Sequence, residues 1–191
     1  MTVETILSIC LGIGLAASVG FRVFLPLFAL SLAAYFNFWE LNESWSWIGS
    51  TAALITLGIA TLVEIIAYYI PFIDNALDTI AIPLATVAGT AVMVSTVADL
   101  SPVITWSLAI IAGGGTAAAI KGSVGATRLG STVSTAGIAN PVVSTVETVT
   151  SIVMSIVSIF LPILAIILVI FIFYIVFRLY KKLKPKTPKS S

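Results

Sequence analysis

The chain has 191 residues, of which 59% are hydrophobic and 9% charged, and its formal net charge is +1. That balance denies a soluble globule its polar surface and predicts an all-α polytopic membrane bundle. With spans of about 20 residues and short turns, roughly six helices fit and no separate soluble domain does. A single transmembrane domain over residues 1–180 and a basic tail over 181–191 are therefore expected.

The first apolar segment runs over 5–36. The start, Met-Thr-Val-Glu, lacks the basic region of a signal peptide, so this segment is expected to stay in the membrane. Cys10 is the only cysteine, which excludes an intrachain disulfide. Arg22 is the only charged side chain between Thr5 and Trp39. Such a charge costs on the order of 3 kcal/mol on insertion scales, so it marks a functional hypothesis and calls for a partner. Pro26, four residues on, removes the helical donor for the carbonyl of residue 22 and predicts a kink or break. Trp39, Trp45 and Trp47, interleaved with Asn37, Glu40, Asn42 and Glu43, then read as an interfacial belt with a short wet loop.

A second span is expected over 50–70, stopped by Pro71 and an acidic turn. It carries Glu64 between Leu62, Val63, Ile65 and Ile66, which makes Glu64 the preferred partner for Arg22. Asp74 and Asp78 are one helical turn apart, and solvation in a loop explains them adequately. The third span, over 80–98, ends at Asp99 and Pro102, and the fourth, over 103–120, ends at Lys121. A cation there suits the helix dipole and can snorkel to the headgroups. Gly, Ser and Thr then dominate 122–141, which reads as a loop, re-entrant in one version, that carries Arg128.

The stretch 142–180 is 39 residues long. As one straight helix that is about 58 Å, nearly twice what a bilayer needs. Pro162 predicts a break into two helices; a single kinked, tilted helix is the competing reading. In the first of the two, apolar positions 142, 143, 146, 149, 152, 153, 156, 157 and 160 oppose Ser144, Glu147, Thr148, Ser151, Ser155 and Ser158. That is a helical period.

Six of nine basic residues occupy the last fourteen positions, and six spans place both termini in the cytoplasm of a cell whose inner membrane holds the protein. Lys121 and Arg128 then share that side, and the loops around 37–49 and 99–102 carry no Lys or Arg. Without the tail the bias rests on those two residues, so a five-span version with the amino terminus outside also stands.

An inverted three-plus-three repeat, with halves 5–98 and 103–180, is suggested by Gly12-Ile-Gly14-Leu-Ala16-Ala17 against Gly113-Gly-Gly115-Thr-Ala117-Ala118. Close helix packing explains the same small residues without a repeat.

Taken together, Gly20-Phe-Arg22-Val-Phe24-Leu-Pro26, Leu62-Val-Glu64, Ile70-Pro71 with Asp74, Ala98-Asp99-Leu, Lys121, Ala126-Thr-Arg128, Asn140-Pro141 and Glu147 resemble a bacterial membrane family known as domain of unknown function 4126. The resemblance spans about Leu11 to Tyr180. It departs at Tyr68-Tyr69, where a charged residue is usual, and around 131–138, where a more polar, proline-bearing loop is usual. The family has no established activity, so the resemblance implies a fold and names residues without naming a substrate.

The inventory gives an enzyme little to work with: no His, one apolar Cys, no HExxH, no Walker loop and no Gly-x-Ser-x-Gly elbow. No cofactor, metal or nucleic acid is expected, and the Lys-rich tail suits anionic headgroups. Two readings follow. One is a secondary transporter or channel for a small solute or ion, with a charged site of Arg22, Glu64 and Glu147 and secondary candidates Asp74, Asp78, Lys121 and Arg128, in a monomer or a homo-oligomer. The other is a non-transporting scaffold or assembly partner whose charges are static pairs.

Overall fold

A computed structural model of the chain describes residues 2–98 and 100–183. The part of the basic tail beyond Leu183, and Asp99, lie outside the described residues. Among those described, the chain is all helix: α1 (Val3–Val19), α2 (Phe24–Tyr35), a 3-10 segment (Glu43–Gly49), α3 (Thr51–Ala67), α4 (Pro71–Thr96), α5 (Pro102–Leu108), a π-helical segment (Ala109–Gly114), α6 (Gly115–Thr135), α7 (Asn140–Phe160) and α8 (Pro162–Leu183).

The bundle is inside-out relative to a soluble one. On α7, Val146 is 60% exposed while Ser151 is fully buried, and Val142, Val149, Ile156 and Phe160 are also exposed while Ser144, Glu147, Ser155 and Ser158 are buried. Lipid dictates that arrangement, because hydrocarbon solvates the apolar face and the polar face must find partners inside. Ser18 of α1 finds them, since its hydroxyl lies 2.9 Å from that of Ser151 and 2.8 Å from that of Ser155.

Three helices, Ala76–Thr96, the continuous Pro102–Thr135 and Asn140–Phe160, are each long and apolar enough to cross a membrane. A fourth arises if Glu43–Gly49 and Thr51–Ala67, bent by 63°, count as one span. Helices Val3–Val19, Phe24–Tyr35 and Pro162–Arg178 are apolar but shorter. The expectation of an all-α membrane bundle holds, while length and composition do not give six.

The first apolar segment is not one span. It is a hairpin: α1 and α2 are separated by a turn at Gly20–Val23 and run in opposite directions. Ser8 near the start of α1 accepts the Ala98 amide at the end of α4, and a Cβ at Gly12 would meet Met93 and Thr96 one turn further along. On the return, Phe24 meets Glu64, Phe28 lies against Gly58 and Ala34 against Gly49, so α2 is antiparallel to α3. Pro26 falls in the first turn of α2, where its missing N–H leaves nothing unpaired.

Direction changes follow from the hairpin. Residues 2–8 sit at the end of the bundle that also holds 37–50 and the α4–α5 connection, where Asn42 N–H donates to the Ser95 carbonyl. Helix α8 starts at that same end, beside the Trp39 contact with Ile159, and runs parallel to α1, with Ala165 near Gly14 and Val169 packed with Ala17. The described termini therefore lie at opposite ends, correcting the expectation of a shared side. The expected break at Pro162 is present, with α7 stopping at Phe160.

Two predicted loops are helix. Pro71 does not stop a span but starts α4 at N1, and Asp74 falls in its first turn. Residues 122–135 continue α6 because Ser123, Thr127, Ser134 and Thr135 return their hydroxyls to carbonyls four residues back, quenching the groups that would otherwise favour a turn. The turn that does follow is tight, with Ala136 at φ 52° and Gly137 at φ 84°.

Small residues let α4 approach the chain at Gly113–Ala117 closely. A Cβ on Gly89 of α4 would come 2.6 Å from the Ala117 Cβ and 2.8 Å from the Gly113 carbonyl oxygen. The π-helical segment delivers Gly113 to that point. Gly89→Val is therefore expected to force α4 and α6 apart and lower stability by about 1–3 kcal/mol, readable as a fall in Tm in detergent. An unchanged Tm would show that the helices separate without strain.

Candidate functional site

Helical spacing converts isolated polar residues into one cluster. Glu64 on α3 and Tyr68 at its C-cap are four apart, Asp74 and Asp78 four apart on α4, Lys121 and Arg128 seven apart on α6, and Ser144, Glu147, Thr148 and Ser151 share a face of α7. These faces converge on the tip of the α1–α2 hairpin. Glu147 lies seven residues inside α7, so the cluster is about 10 Å in from the end where α3 turns into α4 and α6 into α7.

Arg22 sits in the tip itself, fully buried. Its Nε donates to Thr148 Oγ1 at 3.0 Å and its Nη2 to the Ser144 carbonyl at 2.8 Å and to Ser144 Oγ. The nearest carboxylate is that of Glu147, 3.8 Å from Nη2. Its Nη1 has no hydrogen-bond partner. The guanidinium carbon stands 4.2 Å from the centroid of the Tyr68 ring.

Glu64 is not the ion-pair partner expected for Arg22. Its two oxygens accept the backbone N–H groups of Val23 at 2.7 Å and Phe24 at 2.9 Å. It caps α2 from another helix, putting a carboxylate where the helix dipole and unpaired amides favour a negative charge. Val23 supplies no side-chain cap of its own. The hairpin tip is held by Glu64.

Arg128 is the most fully paired cation. Its Nε and Nη2 donate to the two oxygens of Glu147, each at 2.6 Å, a bidentate fork, while Nη1 donates to Asp74 and lies 3.9 Å from Asp78 Oδ2. Far from lying in a solvated loop, Asp74 is buried and also accepts from Asn140 Nδ2 at 3.4 Å. Asp78, with 28% of its side chain exposed, is the rim of the cluster. Lys121 does not snorkel: it is 1% exposed, and its Nζ donates to Tyr68 Oη at 3.2 Å. Among the described residues no His, Cys, Asp or Glu group is arranged to hold a metal ion, and Arg128 fills the space between the three acids.

Tyr68 is the hub that the sequence did not announce. The guanidinium of Arg128 is 4.5 Å and the ammonium of Lys121 is 5.0 Å from its ring centroid, so the three cations buried among the described residues gather at one aromatic ring. Its position one turn beyond Glu64 was the available signal. Ser144 and Thr148, the hydrogen-bond partners of Arg22, were visible only as part of a polar stripe.

Residues 9–182 match the family described as Domain of unknown function (DUF4126). The chain belongs to that family. No curated protein and no solved structure matches this DUF4126 chain. The residues that form the cluster, from Arg22 to Glu147, all fall inside the matched region.

Proposed function

We propose that this DUF4126 protein is a small secondary transporter or channel whose α1–α2 hairpin is a gate, captured closed. One observation carries the reading: the chain reverses at Gly20–Val23 inside the bundle, and the Val23 and Phe24 amides at the start of α2 are satisfied by a carboxylate on another helix. Irregular backbone at membrane depth is tolerated only where protein or a cavity satisfies it, and discontinuous helices are the usual site of substrate and ion binding in transporters. Protonation of Glu64 removes the charge and one acceptor, which weakens both amide bonds together and frees the tip. The basic residues Arg22, Lys121, Arg128 and Arg178 all lie toward the end opposite the amino terminus, which favours a cytoplasmic location for that end and the five-span topology.

Proteoliposomes filled with a small-molecule extract of the expressing cells and a pH-reporting dye test this under an inward proton gradient. Wild-type protein is expected to dissipate the gradient several-fold faster than protein-free vesicles, and the Arg22→Leu, Glu64→Leu double variant to fall to the background rate. Equal rates for wild type and empty vesicles would remove the transport reading.

A static scaffold is favoured by a different observation. Three sealed cations, Arg22, Lys121 and Arg128, face three sealed carboxylates, Glu64, Asp74 and Glu147, so the buried set is neutral as it stands. In that reading the double variant leaves every cellular phenotype of the protein intact so long as it folds.

A further inference from the structure

A cleft of about 430 Å³ opens on the lipid-facing side of the bundle between α2, α3 and α4. Its walls are apolar, built from residues such as Phe24, Ile59, Val63, Leu77 and Leu84, and its lining contains one carboxylate, Glu64, with the Tyr68 ring beside it. Ile59 and Val63 are strongly exposed, so the mouth opens on the apolar flank of α3. The volume suits a single organic molecule of moderate size.

We propose that this cleft binds a lipophilic monocation that enters sideways from the bilayer. Charge complementarity selects the sign, because among the described residues Glu64 is the only acidic or basic group in the lining, while Arg22, Lys121 and Arg128 meet Tyr68 without lining the cleft. The apolar walls select the body, and the carboxylate of Glu64 selects a cationic head. The two backbone amides use only part of the acceptor capacity of Glu64, since an ionised carboxylate offers about four lone-pair sites. A cation drawn to those oxygens competes with Val23 and Phe24 for the same charge. Occupancy of the cleft thereby loosens the hairpin tip, and this names the class of cargo for the gate described above. Only the coupling to the gate rests on the transport reading; binding itself does not.

Tetraphenylphosphonium and its isosteric anion tetraphenylborate separate the alternatives in equilibrium binding to the purified protein in detergent. The cation is expected to bind at one site per chain, at least tenfold more tightly than the anion. Glu64→Gln should weaken the cation at least tenfold and narrow the difference between the two ions. Ala60→Trp, which fills the cleft while keeping Glu64, should abolish binding of the cation and guards against a loss caused by misfolding of the Glu64 variant. Equal binding of the two ions would make the cleft an unselective groove for acyl chains and overturn the proposal, as would unchanged affinity in Ala60→Trp. Binding that follows this pattern in a protein showing no flux would retire the gate and leave the site.

Discussion

Arg128→Leu is expected to be the most damaging single substitution in the chain. It removes the bidentate partner of Glu147 and the cation in contact with Asp74, leaving both carboxylates buried, with only the Nη2 of Arg22 at 3.8 Å from Glu147. Breaking one partner out of a buried ion pair typically destabilises by about 3–5 kcal/mol, because the remaining charge is neither hydrated nor compensated. Arg22 does not take its place: its Nη2 is 3.8 Å from Glu147 and is already committed to Ser144. The variant should elute as aggregate or lose its cooperative melting transition in detergent. Arg128→Lys should recover little, since an ammonium cannot span both oxygens of Glu147 and also reach Asp74. A monodisperse Arg128→Leu protein with wild-type Tm would show that the cluster is not the core it resembles.

Glu64→Ala is the second large effect, and it differs in kind. Arg128, Glu147 and Asp74 keep all their contacts, so the bundle should stay folded while the amides of Val23 and Phe24 lose their acceptor. Two charge-assisted bonds to a helix start are together worth about 2 kcal/mol. The loss should appear as local opening of residues 20–24 in hydrogen exchange, tens-fold faster than in wild type, with α4 and α7 protected as before. Global unfolding on the same scale would make Glu64 an ordinary core residue. Glu64→Gln should fall between, retaining one acceptor oxygen without the charge.

The bundle was legible in composition, and the helix break at Pro162 and the polar stripe of α7 were legible in spacing. The hairpin was not, because α1 and α2 are equally apolar and the turn between them holds no acidic, Asn or Pro signal within Gly20–Val23. A turn made by a remote carboxylate leaves its mark forty residues away, at Glu64. Residues 122–135 misled for the opposite reason: Gly, Ser and Thr are weak helix formers, and tertiary anchoring through Arg128 together with hydroxyl back-bonding overrides their propensity. Arg22 and Glu64 were rightly singled out as buried charges, yet pairing them by depth failed because spacing along a sequence cannot tell a side-chain partner from a backbone one.

The central claim is that Glu64 holds the tip closed by its charge. A single cysteine reports on it: Val23→Cys in a Cys10→Ala background, where Val23 is buried and its amide donates to Glu64, probed with a small membrane-impermeant methanethiosulfonate in reconstituted vesicles. Rates are read at each pH and divided by those of a fully exposed cysteine, which removes the loss of thiolate in acid. The corrected rate is expected to rise at least tenfold as acid protonates Glu64, and to be high at every pH in the Glu64→Gln background. A rate that stays low throughout in both backgrounds would contradict the gate.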